Sequence, residues 1–232
     1  MIQTVILAGG LASRLGNLAG DCPKAMLVFD HRPFLEYQLE LMKAQGYKRF
    51  LFCIGHLGEQ IESYFEEGSH WGVEITYSHE TEALLGTGGA LKHAEALLED
   101  HFFVMYGDAY LKLDFRAIED TASKNQDCGL MVVYRNDNHL DRSNLIVQDG
   151  SVIDYGYENF ETKHYIDEGV SVLRKNILEA FPTNKPFPLG DVFKKLVKEK
   201  RLRAFETQQR FYEVGSKQGY EEFKALVEKG DL

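Results

Sequence analysis

Residues 5 to 15 read Val5-Ile6-Leu7-Ala8-Gly9-Gly10-Leu11-Ala12-Ser13-Arg14-Leu15, and Pro23-Lys24 follows a few residues later. A short apolar run of this kind is typical of a buried strand, and the paired glycines leave the next turn without bulky side chains. Backbone N–H groups there can approach a phosphate closely, while Arg14 and Lys24 supply positive charge. The stretch therefore predicts a triphosphate-binding loop at the end of a strand.

The glycine spacing separates this loop from two commoner phosphate-binding motifs. A Walker A loop needs Gly, four residues and then Gly-Lys-Ser/Thr, which the stretch lacks. A dinucleotide-binding fingerprint needs G-x-G-x-x-G, whereas Gly9 and Gly10 are adjacent and Arg14 stands where a helix would open. Both motifs are excluded.

Short apolar runs alternate with helical patterns through the first half of the chain. The predicted strands are 4–7, 50–54, 74–78 and 102–106, and the predicted helices are 34–45, 59–66, 88–98 and 115–124. Such alternation builds a mostly parallel sheet covered by helices on both faces. Ligands of these sheets bind at the carboxyl ends of the strands.

The pattern changes after about residue 128, where strand-like runs are separated by polar turns such as Asp149-Gly150. The runs are 128–134, 144–148, 152–155 and 165–173, followed by helical patterns at 189–198 and 217–228 with a strand-like 202–206 between them. Short strands joined by such turns indicate antiparallel additions to the sheet.

The composition limits the partners of the protein. The 232-residue chain has a formal net charge of -10, which argues against a nucleic-acid or anionic-membrane surface and favours small-molecule ligands. Its three cysteines, Cys22, Cys53 and Cys128, have no C-x-x-C spacing and favour a reducing compartment over a disulfide framework or a zinc site. With no signal peptide or bilayer-spanning run recognisable, we expect a cytoplasmic protein. We also expect a monomer or homodimer.

Together with Pro23-Lys24-Ala25-Met26, the opening stretch resembles the signature of sugar nucleotidyltransferases, L-A-G-G-x-G-[ST]-R-L followed by P-K-x-[ML]. Ala12 takes the place of the third glycine. The resemblance implies a Rossmann-like three-layer α/β/α sandwich of the GT-A type, with a mixed, mostly parallel central sheet. It also implies one domain over residues 1–232, in which about 1–127 bind the nucleotide and about 128–232 bind a sugar phosphate and supply a second metal ligand.

The implied reaction joins a nucleoside triphosphate to a sugar 1-phosphate and releases pyrophosphate. Both substrates are anions, so the site must neutralise charge and align the reacting atoms, and it needs no covalent nucleophile. In this interpretation Arg14 and Lys24 are the catalytic residues: Arg14 stabilises the leaving pyrophosphate and Lys24 neutralises charge around the α-phosphate. The implied nucleotide-binding residues are Leu7, Ala8, Gly9, Gly10, Ala12, Ser13, Glu80, Gly86, Thr87 and Gly107.

Two carboxylates are candidate ligands of Mg²⁺, which prefers hard oxygen donors and keeps several waters. Asp108 follows an apolar strand as Gly107-Asp108, which resembles the family's strand-G-D metal motif. Glu213 lies in Phe211-Tyr212-Glu213-Val214-Gly215-Ser216, which resembles F-Y-D-[IV]-G-[ST], with glutamate in place of the aspartate that is the second metal ligand.

The segment from Glu80 to Gly89 resembles the part of the family whose backbone contacts the base and ribose, through Leu85-Gly86-Thr87-Gly88-Gly89. The Glu80 carboxylate can accept hydrogen bonds from the adjacent N–H donors of guanine, and a single acceptor also suits N3–H of uracil. The base therefore stays open.

Four residues are candidate sugar ligands. Asn144 belongs to a polar cluster beside a strand, and Asp167 and Gly169 lie in a segment that resembles the family's N-x-G-[IV] strand. Glu158 lies near the position of a Glu-Lys pair of the family, without the lysine. Turn chemistry explains the polar cluster almost as well.

Length and motifs resemble the single-domain branch that includes heptose 1-phosphate guanylyltransferases and N-acetylmuramate 1-phosphate uridylyltransferases. GTP with a heptose 1-phosphate is the first expectation. The alternatives are UTP with an amino-sugar or N-acetylmuramate 1-phosphate, a non-sugar phosphate or phosphonate acceptor, and a nucleotide-binding regulator without turnover.

Overall fold

Strand β1 (Gln3–Leu7) is buried along its whole length between two parallel neighbours. It pairs with β4 (Arg49–Ile54) on one edge and with β6 (His101–Tyr106) on the other, and β5 (Glu74–His79) continues the sheet beyond β4. A strand enclosed in this way has a continuous apolar sequence rather than an alternating one.

The computed structural model describes residues 1–10, 21–80, 83–125 and 129–232.

The other elements follow in chain order. The strands are β2 (Val28–Phe29), β3 (Arg32–Pro33), β7 (Ala109–Tyr110), β8 (Gly129–Arg135), β9 (Leu145–Gln148), β10 (Ser151–Tyr155), β11 (Tyr165–Arg174), β12 (Leu202–Thr207) and β13 (Tyr212–Glu213). The helices are α1 (Phe34–Ala44), α2 (Gly58–Phe65), α3 (Gly86–His93), α4 (Phe115–Lys124), α5 (Leu189–Lys198) and α6 (Lys217–Lys229).

Nine of these strands form one mixed sheet in the order β5-β4-β1-β6-β11-β8-β12-β10-β9. The four strands from β5 to β6 are parallel. Strand β11 lies antiparallel to both β6 and β8, and β9 pairs antiparallel with β10, whereas β12 runs parallel to β8. Because β1 and β6 are central and parallel, their carboxyl ends meet at the same edge of the sheet.

Alternate side chains of the central strands enter two separate cores, one on each face of the sheet. On β1, Ile6 packs into the core beneath α1, α2 and α4, while Val5 and Leu7 pack into the core beneath α3 and α5. On β6, Phe103 packs into the first of these cores and Phe102 packs into the second. This period of two produces the three-layer α/β/α arrangement, and the predicted fold class is confirmed.

A third apolar cluster fastens the end of the chain to its first half. Phe223 of α6 is fully buried and makes edge-to-face contacts with Phe34 at 4.8 Å and Phe29 at 4.9 Å between ring centroids. Val214, just after β13, belongs to the same cluster. Aromatic pairs of this geometry add stabilisation beyond their buried area. The cluster fixes β13 and α6 beside the carboxyl edge of the sheet.

The predicted elements agree with the observed ones to within about two residues, apart from the end of one helix. The predicted helix 88–98 is divided into α3 and a short 3-10 helix, Ala94–Leu97. The sequence did not predict the two-residue strands β2, β3, β7 and β13. None of the helices in the described part of the chain combines the length and apolar composition required to cross a bilayer.

Candidate functional site

The carboxyl ends of β1 and β6 touch through a glycine. The Gly107 amide donates to the Leu7 carbonyl oxygen at 3.0 Å, and a Cβ on Gly107 would lie 2.9 Å from that oxygen and 3.0 Å from Ala8 Cα. Only a residue without a side chain permits this approach. The contact directs the chain after β6 towards the turn after β1, so that Asp108 lies near Gly9 and Gly10.

A first cavity of about 260 Å³ opens at this edge. The predicted site residues that line it are Leu7, Ala8, Gly9, Gly10, Lys24, Glu80, Gly86, Thr87, Gly107 and Asp108. Ala25, Cys53, Leu84, Ala90 and Tyr106 complete the lining. Arg14, Ala12 and Ser13 lie outside the described residues.

Lys24 enters the first cavity from a short 3-10 helix, Lys24–Met26, that begins after Pro23. Its Nζ lies 3.1 Å from Asp108 Oδ2, and the Lys24 side chain is mostly buried. The ion pair fixes a long, flexible side chain at the mouth of the cavity, where a bound phosphate would compete with Asp108 for the ammonium group.

Asp108 and Glu213 lie together because two short strands pair. Strands β7 and β13 are antiparallel, and the Val214 amide donates to the Asp108 carbonyl oxygen at 2.9 Å. A Cβ on Gly215 would lie 3.0 Å from Glu213 Oε2 and 3.1 Å from both Asp108 Oδ2 and Lys24 Nζ. Three charged groups therefore surround one point, and glycine leaves room for them.

The Glu213 carboxylate is held by groups at the beginning of α6. Its Oε2 accepts from the Gly215 amide at 2.5 Å, and its Oε1 accepts from the Ser216 hydroxyl. Ser216 also caps α6 by accepting from the Gly219 amide at 3.0 Å. A Cβ on Gly219 would overlap Glu213, so the small residue accommodates the longer acid. These donors and the positive end of the helix stabilise a negative charge.

The Asp108 and Glu213 carboxylates are donors of the kind that would suit a magnesium ion. Within the described ranges, no group of three or more His, Cys, Asp or Glu residues is arranged to hold a metal. Two carboxylates around one point, beside an open cavity, leave further positions for water and phosphate oxygens, which is the usual environment of Mg²⁺. Asp108 and Glu213 would hold the ion.

Glu80 lies on the opposite wall of the first cavity, after β5. Its Oε1 accepts from the Leu85 amide at 2.6 Å, while Oε2 points towards the backbone of Gly9 and Gly55. Burial raises the pKa of the Glu80 carboxyl, and the Leu85 amide opposes this effect. One carboxylate oxygen therefore holds the Leu85 amide, and the other points towards Gly9 after β1.

The residues at the glycine-rich start of α3 have two different roles. Gly86 and Thr87 line the first cavity, as the resemblance implies. The amides of Gly88 and Gly89 instead donate to the Phe187 carbonyl oxygen at 3.0 and 3.1 Å. Gly88 and Gly89 therefore admit the close approach of the segment before α5.

A second cavity of about 550 Å³ adjoins the first, and both are lined by Tyr106 and Asp108. It holds three of the predicted sugar ligands, Asn144, Asp167 and Gly169, together with Glu213. Glu158 is not among its lining residues: this side chain is exposed and lies 3.9 Å from Lys194 Nζ. The predicted sugar site is therefore brought together without Glu158.

Asp167 is held by hydrogen bonds in the wall of the second cavity. Its backbone amide donates to Asn144 Oδ1 at 3.0 Å, and its carboxylate accepts from the Gly169 amide at 2.9 Å and the Tyr155 hydroxyl at 3.2 Å. Burial raises the pKa of Asp167 to about 6, against the effect of these donors.

The loop 136–143 near this cavity folds on its own polar groups. Asn136 is buried and donates to the Asp141 carbonyl oxygen at 2.6 Å, and the Ser143 hydroxyl accepts from the Asn138 amide at 3.1 Å. The structure therefore supports the turn explanation for this part of the polar cluster.

Sequence reasoning missed four charged residues that line the second cavity, Asp141, Glu168, Arg210 and Glu222. Glu168 is 1% exposed, and burial followed by the charge of Asp167 raises its pKa to about 9. Arg210 forms an ion pair with Glu222 and lies over the Tyr212 ring. The sequence offered one signal for Arg210, which directly precedes the Phe211 to Ser216 motif that contains β13. It offered no comparable signal for Glu168.

Two cavities that meet at one charged junction suit a reaction between two bound ligands, at least one of which carries phosphate. With the glycine turn at the carboxyl edge of a Rossmann-like sheet, this arrangement defines an α/β nucleotidyl-transferring protein. The chain belongs to the nucleotidyl transferase family, whose sequence profile matches residues 3–230. The resemblance inferred from the motifs is confirmed.

Similar proteins include two named D-glycero-alpha-D-manno-heptose 1-phosphate guanylyltransferase. That of Campylobacter jejuni is 29% identical over 96% of this chain and 98% of its own length. That of Aneurinibacillus thermoaerophilus is 30% identical over 94% of this chain and 95% of its own. The crystal structure of HddC from Yersinia pseudotuberculosis complexed with GMP-PN is 27% identical and superposes with a TM-score of 0.82, covering 98% of this chain and 100% of that one.

The raised pKa of Glu168 predicts how stability depends on pH. Because the folded protein retains this proton above the ordinary glutamate value of 4.5, it binds more protons than the unfolded chain until the pH approaches 9. The contribution of Glu168 to the free energy of unfolding therefore falls as pH rises from about 5 to 9. Chemical unfolding of ligand-free protein across this range should show a steeper loss for the wild type than for Glu168→Gln.

Glu221→Gln is the control, since this glutamate is exposed on α6. Its stability should change with pH in parallel with the wild type. Parallel curves for the wild type and Glu168→Gln would contradict the raised pKa.

Proposed function

We propose that the protein joins GTP to a heptose 1-phosphate, giving GDP-heptose and pyrophosphate, with Mg²⁺ as cofactor. The observation that carries this proposal is the convergence of Lys24, Asp108 and Glu213 around Gly215, where the two cavities meet. The relatives that match almost the whole chain and are named heptose 1-phosphate guanylyltransferases support the choice of substrates.

The reaction needs positioning and charge neutralisation at this junction. An oxygen of the sugar 1-phosphate attacks the α-phosphorus of GTP, and the bond from that phosphorus to the bridging oxygen breaks, so pyrophosphate leaves with the electron pair. In the proposal Lys24 turns from Asp108 to the α-phosphate, and the amides of Gly9 and Gly10 bind the β- and γ-phosphates. Mg²⁺ held by Asp108 and Glu213 would neutralise phosphate charge.

Arg14 keeps its expected role in this proposal, stabilising the pyrophosphate as it departs. Ala12 and Ser13 would complete the phosphate-binding loop with it. Residues 1–127 would form the nucleotide half of one domain and residues 128–232 the acceptor half.

Glu80 is the proposed partner of the guanine base. Glu80 Oε2 points to the cavity wall formed after β1, while Oε1 is held by Leu85. Guanine presents two neighbouring donors, N1–H and the exocyclic amine, and a fixed carboxylate accepts both more effectively than it accepts the single N3–H of uracil. Gly86 and Thr87 would contact the ribose.

The second cavity would receive the sugar. Asn144, Asp167 and Gly169 line its wall, and Arg210 contributes a positive charge that would attract the acceptor phosphate as it enters. We propose that the protein acts in the cytoplasm, because its substrates occur there together with nucleoside triphosphates. In this location it would supply a nucleotide sugar for polysaccharide biosynthesis.

Pyrophosphate release tests the proposed reaction directly. Four nucleoside triphosphates are crossed with heptose, mannose, glucose and N-acetylmuramate 1-phosphates in the presence of Mg²⁺, and GTP with the heptose should give the highest kcat/KM. A preference for UTP with N-acetylmuramate 1-phosphate would show that the proposed substrates are wrong and that the proposed type of reaction is right. Tight GTP binding without pyrophosphate from any acceptor would instead indicate a regulator.

Lys24→Met should lower kcat by about 100-fold or more, since removal of one preorganised charge-stabilising group commonly has this effect. The variant should stay folded but melt at a lower temperature, because the Asp108 and Glu213 carboxylates lose the positive charge that offsets their repulsion. Steady-state kinetics and thermal unfolding measure the two quantities. Lys43→Met, an exposed change on α1, is the control. Near-normal kcat in Lys24→Met would contradict the role of Lys24.

A further inference from the structure

Strand β11 carries a bulge where it passes the second cavity. Its register with β8 pairs Asp167 with Val133 and next pairs Ser171 with Met131, so β11 contains two more residues than its partner in this interval. Gly169 in the bulge has a φ of 78°, and a Cβ there would lie 2.9 Å from the Tyr106 ring. Bulges re-aim side chains next to functional sites.

The bulge brings two consecutive acids to one cavity. Neighbouring residues of a regular strand point to opposite faces, but Asp167 and Glu168 both line the second cavity. Asp167 has its own partners, the Gly169 amide and the Tyr155 hydroxyl. Its carboxylate is therefore satisfied within the protein.

Glu168 differs from Asp167 in this respect. It is 1% exposed, and among the described residues neither carboxylate oxygen has a hydrogen-bond partner. The Phe211 amide is close enough to favour the charged form slightly, although it does not make a hydrogen bond of good geometry. A buried polar group without partners costs stability, so its retention beside a cavity points to a ligand that completes it.

The surroundings of Glu168 define the chemistry of that ligand. The carboxylates of Asp141, Asp167 and Glu222 line the same cavity. Arg210 also lines it and acts on Glu168, but Arg210 is paired with Glu222, so negative charge prevails and disfavours an anionic group near Glu168. Tyrosine rings line it as well, at Tyr106, Tyr155 and Tyr157, and offer flat apolar surfaces to C–H groups. An uncharged ring or chain that bears hydroxyl groups fits both features.

We propose that Glu168 determines acceptor specificity by hydrogen bonding to two neighbouring hydroxyl groups of the sugar, on the part remote from its phosphate. The inference rests on the proposed function and identifies the residue that reads the sugar. Two carboxyl oxygens match two adjacent hydroxyls, and a carboxyl that retains its proton both donates and accepts. Retention of the proton also favours hydroxyls over an ammonium group, which would need a charged partner.

The test compares Glu168→Met, which keeps the length and apolar stem of the side chain, with Glu168→Gln, which keeps its hydrogen bonding. Glu168→Met should raise KM for heptose 1-phosphate at least 10-fold and leave KM for GTP within 2-fold. Glu168→Gln should restore most of the loss. Glu221→Met on the exposed face of α6 is the matched control and should behave as the wild type.

Monodeoxy analogues of heptose 1-phosphate identify the hydroxyls. The analogue that lacks a hydroxyl bound by Glu168 should have a raised KM with the wild type and no further increase with Glu168→Met. The melting temperature of Glu168→Met should equal or exceed that of the wild type, because an unpartnered buried carboxyl is removed. A purely structural role would lower the melting temperature and leave the response to the analogues unchanged.

Failure of the inference and failure of the proposed function give different results. An active wild type with an unchanged acceptor KM in Glu168→Met overturns the inference alone, as does a requirement for an amine on the acceptor. Absence of pyrophosphate with every sugar 1-phosphate overturns the proposed function. In that case calorimetric titration of heptose 1-phosphate decides the role of Glu168: weaker binding by Glu168→Met supports it, and equal binding or none overturns it.

Discussion

The repulsion between Asp108 and Glu213 is the constraint on which the site depends. Two carboxylates around one point destabilise each other unless positive charge or hydrogen-bond donors offset the repulsion. Lys24 supplies the charge at 3.1 Å from Asp108, and the Gly215 amide and Ser216 hydroxyl supply donors to Glu213. The junction is thus held together by the protein's own groups, and in the proposed function a cation or phosphate would enter it by exchange with these partners.

Distant parts of the chain hold the two acids in place. Asp108 is placed by the contact of Gly107 with Leu7, which is possible because β1 and β6 are parallel neighbours in the sheet. Glu213 is placed by β13 and α6, which the aromatic cluster around Phe223 fastens to the first half of the chain. Burial of such aromatic side chains contributes several kcal/mol each, about 3 to 5 when the loss on truncation to alanine is taken as the measure. Apolar packing therefore offsets the electrostatic cost of the site.

Much of this arrangement could be predicted from the sequence because it is encoded locally. Apolar periodicity located the strands of the main sheet and the helices, and the Gly107-Asp108 and Lys24 motifs located residues that line the first cavity. The two-residue strands β7 and β13 could not be predicted, because their pairing depends on tertiary contacts rather than on a periodic pattern. Glu158 was inferred from its position in a motif alone, and the structure places its side chain outside the cavity lining.

Glu168 was missed for a different reason. Strand alternation assigns it to the face opposite Asp167, and only the bulge in β11, which depends on the register with β8, brings both acids to the second cavity. The close packing of Gly88 and Gly89 against Phe187 was likewise beyond a reading of neighbouring residues, since the two segments are far apart in the chain. Local patterns predict elements well, but register and long-range contacts determine which side chains share a cavity.

The central claim is that Lys24, Asp108 and Glu213 form one phosphate- and metal-binding junction between the two cavities. Anomalous scattering from a crystal of the protein with GDP-heptose and Mn²⁺, used in place of Mg²⁺, tests it most directly. The account predicts a manganese peak bound by the Asp108 and Glu213 carboxylates, with Lys24 Nζ transferred from Asp108 to a phosphate oxygen. A nucleotide sugar bound in the cavities with manganese elsewhere, and with the Lys24 to Asp108 ion pair intact, would contradict it.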